Sequence, residues 1–193
     1  MRRRLAILAL VGIWISVPVG AARALNMISL TPVAQEESLG ETVLVTLQMQ
    51  FDEATLGGGV DLLFDPSVLD FVSFEFDPGL GDDPIFRLTP SSPTDGNRLV
   101  LGFGDFDGIG GSRAIGTVTF DAVGVGVANL STGPNAQPAG PFVSAASPLD
   151  LLLVDFEASA VTVVPEPSTL GLLILGSGGL VLLGSKGGAR RIR

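Results

Sequence analysis

The stretch Thr42-Val-Leu-Val-Thr-Leu-Gln-Met-Gln-Phe51 decides the fold. Val43, Val45, Leu47, Met49 and Phe51 fall on one side of an extended chain, and Thr46, Gln48 and Gln50 fall on the other, a period of two. No helical window competes with it. Alternation of this kind gives a strand one buried face and one wet face, the habit of antiparallel sheets. Working outward, similar strand candidates lie at 59–64, 69–76, 98–103, 114–121, 123–130, 151–156 and 158–164, with Gly and Pro between them at short intervals. The spacing predicts an all-β sandwich or jelly roll. Between Phe71 and Phe74 the apolar parity changes, which predicts a bulge. The stretch 77–96, rich in Pro, Asp and Ser, reads as the longest irregular connection, and 131–141 as the next.

The strand region is bounded by two apolar ends, which divides the 193 residues into 1–24, 25–164 and 165–193. The middle segment is long enough for one domain with a real core and too short for two. It carries three basic residues, Arg87, Arg98 and Arg113, against nineteen acidic ones, a net charge of −16, whereas the whole chain carries −9. Such a domain repels phosphate backbones, so nucleic acid is excluded as a partner. The chain has no Cys and no His. Thiolate metal sites, disulfides, Ser-His-Asp triads, Cys nucleophiles and imidazole bases are therefore all absent. Only carboxylate chemistry or an activated Ser, Thr or Lys would remain, and a solvated acidic face accounts for the carboxylates without catalysis. The expectation is a protein that is not an enzyme.

The first segment has the layout of an export signal. Arg2-Arg3-Arg4 supplies the charged start, 5–17 the apolar run, and Ala22-Arg23-Ala24 a small-x-small cleavage site, so the mature chain is expected to begin at Leu25. At the other end, nineteen residues without a formal charge separate Glu166 from Lys186. As a helix at ~1.5 Å per residue they would span roughly 28 Å, close to a ~30 Å hydrocarbon core, with the transmembrane helix about 168–185. Lys186, Arg190, Arg191 and Arg193 follow it and would be held in the cytoplasm, leaving the acidic domain outside.

Ahead of that run stands Pro165-Glu166-Pro167. Two prolines around one residue keep the chain extended and out of regular secondary structure, a shape a protease can hold. The order Pro-Glu-Pro, apolar helix and terminal arginines resembles the PEP-CTERM sorting signal of Gram-negative bacteria, with Gly187-Gly188-Ala189 and Ile192 interrupting the basic cluster. The resemblance implies processing by exosortase, a membrane enzyme that would remove the tail. The protein would pass transiently through the inner membrane and end at the cell surface or in the extracellular matrix.

The domain carries a second resemblance. An early alternating strand, then Gly58-Gly59-Val60-Asp61-Leu62-Leu63-Phe64-Asp65-Pro66-Ser67-Val68-Leu69, then Gly116-Thr117-Val118-Thr119-Phe120 and a last strand Ala160-Val161-Thr162-Val163, is similar to cohesin domains. The resemblance implies a cohesin-like jelly-roll β-sandwich of about nine strands, related to some carbohydrate-binding modules, that binds a dockerin module over one sheet face. It brings no motif for the contact residues, and Phe-Asp-Pro also suits any strand end followed by a turn.

Asp105-Phe106-Asp107-Gly108 has the look of a calcium loop, because alternate oxygens can converge on a hard cation, yet no Glu closes it, Arg113 lies nearby, and a plain turn is the better reading. Calcium at Asp105 and Asp107 is the one cofactor expectation; otherwise none is expected. Two function classes follow. One is an exported, non-catalytic binding module for a dockerin-like protein or a polysaccharide; the other is a carboxylate-based glycan hydrolase. The single Trp14 lies in the export signal and there is no Tyr, so the domain lacks the usual sugar-stacking platforms and protein binding leads.

Overall fold

The computed structural model describes residues 26–135 and 137–166. Ten strands follow one another without a helix among the described residues: β1 (Asn26–Thr31), β2 (Ala34–Ser38), β3 (Thr42–Leu63), β4 (Leu69–Phe76), β5 (Pro84–Leu88), β6 (Arg98–Ala122), β7 (Gly126–Pro134), β8 (Val143–Ser144), β9 (Val154–Phe156) and β10 (Ala158–Val164). The opening stretch is the first half of β3, and its apolar side is the core: Val43, Val45, Leu47, Met49 and Phe51 are all buried.

Pairing resolves the ten strands into two layers joined by β3 and β6. In layer one the first half of β3 lies between β1 and the second half of β6, with β9 beside β1 and β4 beside β6. In layer two the second half of β3 lies between the first half of β6 and β7; β5 flanks β6, and β10 and β2 continue beyond β7. The two long strands bend together where their register slips, between Phe51 and Gly57 on β3. Gly57 is required there. Its φ is +133°, and a Cβ would stand 2.1 Å from the Phe103 carbonyl oxygen.

Inward residues of both layers form one core. Phe51, Phe103 and Phe142 meet near the bend, with ring centroids 5.3 and 5.8 Å apart, and Phe64, Phe71 and Phe120 meet near the far ends of the long strands. β2 and β10 run parallel over five paired residues, so the chain enters β2 from one end of the layer and leaves β10 at the other.

Several sequence expectations change in detail. The candidates at 42–51 and 59–64 are one strand, as are those at 98–103 and 114–121, because the bends hold pairing through their Gly and polar residues. β5 lies inside 77–96, where Ile85 and Leu88 sit among prolines and aspartates. β1, β2 and β8 were not among the candidates, while β7 starts at Gly126 instead of Val123 and β9 starts at Val154 instead of Leu151. The bulge stands where the parity break put it: the β4–β6 register shifts between Phe71 and Ser73. The expected export signal, the apolar helix and Pro167 lie outside the described residues, as do Ala22, Ala24, Leu25, Lys186, Arg190, Arg191 and Arg193.

Candidate functional site

Leu99, Leu101 and Phe103 of β6 point into the core, so the alternate residues Arg98, Val100, Gly102 and Gly104 form the outward surface of layer two. Two of these four are glycines, and structure has been laid on them. A Cβ on Gly102 would meet the Ala139 Cβ at 2.5 Å, and one on Gly104 would meet the Phe86 ring at 2.6 Å. Gly59 on the neighbouring strand stands likewise against Asn135 and Ala139, at 2.8 and 2.9 Å. Bare backbone lets the Phe86 ring of the edge strand β5 and the 137–139 segment lie directly on the sheet as two walls.

Between the walls runs a cleft in two adjoining parts. One, of about 300 Å³, lies between Phe86, Leu88, Pro138 and Ala139. The other, of about 430 Å³, has Val100 and Arg98 with a rim of hydroxyls from Thr89, Ser91, Ser92 and Thr94. The parts share Leu88 and Pro138. The result is an apolar trough with a polar rim, the composition of a recognition site for a side chain or short segment.

Ion pairs hold the walls. The Arg98 guanidinium meets Asp95 at 2.9 Å and Asp61 at 3.4 Å. Asp61 also accepts a hydrogen bond from the Asn135 amide, whose own Oδ1 is buried without a partner. Turn, sheet and covering segment are thereby tied together. At the other end Arg87 donates to the carbonyl oxygens of Gly104 (2.5 Å) and Phe86 (3.0 Å) and lies 5.7 Å from the Phe76 ring centroid. Burial lowers the Arg87 pKa, and the Asp105 carboxylate 3.9 Å away opposes that shift.

Asp105 is 1% exposed, and its oxygens accept the backbone N–H groups of Asp83 and Asp107, each at 3.1 Å. Asp107 is exposed, and no group of three acidic side chains with metal-binding geometry occurs among the described residues. Pro165 and Glu166 are exposed directly after β10. The cleft itself escaped sequence reading. Its glycines were visible, but nothing in the sequence says what rests on them. Exposed Phe86 and Phe106, the latter 64% accessible, were also missed, because Phe86 lay in the expected connection 77–96 and Phe106 in the expected loop 105–108, where nothing local says how a ring is presented.

No family model matches the chain, and no curated protein matches it. Solved structures do. A type I cohesin–dockerin complex from Clostridium thermocellum superposes with a TM-score of 0.59 at 12% identity, over 74% of this chain and 96% of that one. The cohesin module of a family 33 glycoside hydrolase from Clostridium perfringens gives 0.57 at 10%, over 75% and 100%. A non-cellulosomal cohesin from the archaeon Archaeoglobus fulgidus gives 0.52 at 16%, over 78% and 98%. At these identities the likeness is one of fold: residues 26–166 adopt a cohesin-like all-β sandwich.

Proposed function

We propose that this chain is an exported, non-catalytic binding module that holds a dockerin-like protein module against the outward face of layer two. The observation that carries the proposal is the cleft along Val100 and Leu88, open in the free domain and walled by segments that ion pairs hold in place. A preformed trough spares a partner the cost of ordering it. Complexes of this fold with dockerins support the choice of partner. The carboxylates beside the cleft, Asp61 and Asp95, are both engaged by Arg98, which supports a binding role over hydrolysis. Export and exosortase processing rest on the two chain ends, and place the mature domain at the cell surface.

Calorimetric titration of the exported domain with dockerin modules encoded in the same genome tests the partner. Binding should be lost in Val100→Arg and in Leu88→Asp with the melting temperature unchanged. A second reading, polysaccharide binding, is favoured by Phe106, an exposed ring available for stacking on a sugar. Retention by matrix polysaccharide that Phe106→Ala removes, with no response to any dockerin, would replace the first reading by the second. Release of reducing sugar would overturn both.

A further inference from the structure

The sorting motif begins where the last strand ends. Val164 is still paired with Ser38, and its carbonyl oxygen accepts the Leu39 N–H at 2.9 Å. Pro165 is the next residue. Upstream, β10 has no free edge: β7 pairs with it from Ala158 to Val163 and β2 from Ala160 to Val164, and Val161 and Val163 are buried. Glu166 lies against the turn after β2, its Oε1 3.9 Å from the position a Cβ on Gly40 would take. That turn is in turn tied to β6, Gly40 N–H to Ala122 O at 2.8 Å and Ala122 N–H to Glu41 O at 2.9 Å.

Downstream there is little room. Five residues, 165–169, separate Val164 from Leu170, where the apolar run begins. Fully extended at about 3.5 Å each, they reach roughly 17 Å, of which the headgroup layer takes roughly 5–8 Å. On the sorting reading, the end of the sandwich would therefore stand within about 10 Å of the headgroups while the tail is attached. An enzyme that cuts a peptide holds it extended and pairs with its backbone, commonly on both sides of the bond. Here the residues on the domain side are already paired.

We infer that the fold itself restrains processing: the sorting enzyme gains its full grip on the motif only when the β2–β10 end opens, so tail removal is slow while the clamp is shut. This inference rests on the sorting reading above. Local opening of a paired strand end is a minor population, and the rate of any step that requires it falls by the fraction open.

The test follows loss of a C-terminal tag from the full-length chain by pulse-chase in the host that carries the sorting enzyme. An eight-residue Gly/Ser spacer inserted between Val164 and Pro165 frees the domain side of the motif and should speed tail removal at least about tenfold. A disulfide clamp, Glu36→Cys with Thr162→Cys at paired positions, should slow it by a similar factor, with dithiothreitol restoring the rate; the chain has no native Cys to mispair. Equal melting temperatures of the spacer variant and the parent exclude unfolding as the cause. If parent, spacer and clamped chains all lose the tail at one rate, the restraint is overturned and sorting stands. If none loses it, the spacer variant included, the sorting reading fails and the restraint falls with it.

Discussion

The outward faces of the two layers are built from the same alternation and end in opposite states. On layer one, Thr46, Gln48, Thr117 and Thr119 stand between the core positions of β3 and β6, and the Thr46 and Thr117 hydroxyls lie 3.4 Å apart. The surface they make is half-exposed and mostly polar, with Leu44 exposed among the hydroxyls and amides. On layer two the equivalent places on β3 and β6 include Gly59, Gly102 and Gly104, and a second storey of Phe86, Asn135 and Ala139 has settled on them. Inward residues decide that there is a sandwich; outward residues decide whether a face stays a plain or acquires walls.

The contrast can be broken by substitution. The largest effect is expected where the second storey is anchored: Asp105→Ala leaves the Asp83 and Asp107 N–H groups without their carboxylate and removes the countercharge of Arg87, which should cost about 3 kcal/mol by urea denaturation. Gly102→Val drives a branched side chain into Ala139 and Phe86, and should cost about 2 kcal/mol while closing the cleft to any ligand. Arg98→Ala removes the tie between Asp95 and Asp61. About 1 kcal/mol is expected, with faster hydrogen exchange confined to the 89–98 turn. On layer one, Thr117→Val should stay within about 0.5 kcal/mol, because only the long, half-exposed hydroxyl contact with Thr46 is lost. A cost above 2 kcal/mol there would mean that this face too is covered, and the comparison would fail.

The smallest expected effect sits where the chain passes from layer two to layer one. The Ser67 hydroxyl, and then the Ser67 N–H, donate to Asp65 and hold its carboxyl below the usual carboxylate range. A carboxylate stabilised in the folded state contributes stability in full above its unfolded value and loses it as pH falls through the lower folded value. Ser67→Ala should therefore lower stability slightly at neutral pH, where the stabilised carboxylate contributes in full, and leave it unchanged at the acid end, so that the limb below about pH 4 is flatter. An identical acid limb in the variant would show that the Ser67 hydroxyl adds nothing to the pH dependence of stability.

How far the sequence carries the fold depends on whether a signal is local. The alternation of 42–51, the parity break at Phe71 and the turn chemistry of Asp65-Pro66-Ser67 are each settled by neighbours along the chain, and each stands in the structure as expected. β5 is settled by distant partners. Its five residues, Pro-Ile-Phe-Arg-Leu, gain strand form by pairing with 102–105 of β6, and the aspartates before and the prolines and serines after so short an apolar run read as a connection. The same holds for the bends of β3 and β6, where Gly57 and Gly104 look like loop residues but pair with each other just beyond the register slip. The cleft was the least legible part, since an outward glycine is the same letter whether its face is empty or covered. Asp105 was visible as an acid and not as a buried acceptor of two backbone amides, because those donors come from Asp83 and Asp107, one of them twenty-two residues away.

The parallel pairing of β2 with β10 has a mechanical side. Were the domain gripped through the face of layer two and tethered beyond Val164, as proposed, it would be pulled along the axis of β10. That strand is gripped on both flanks, over six residues by β7 and over five by β2. A load in this direction would shear all of those bonds at once instead of unzipping them one after another, so the last strand is arranged to bear tension applied at its end.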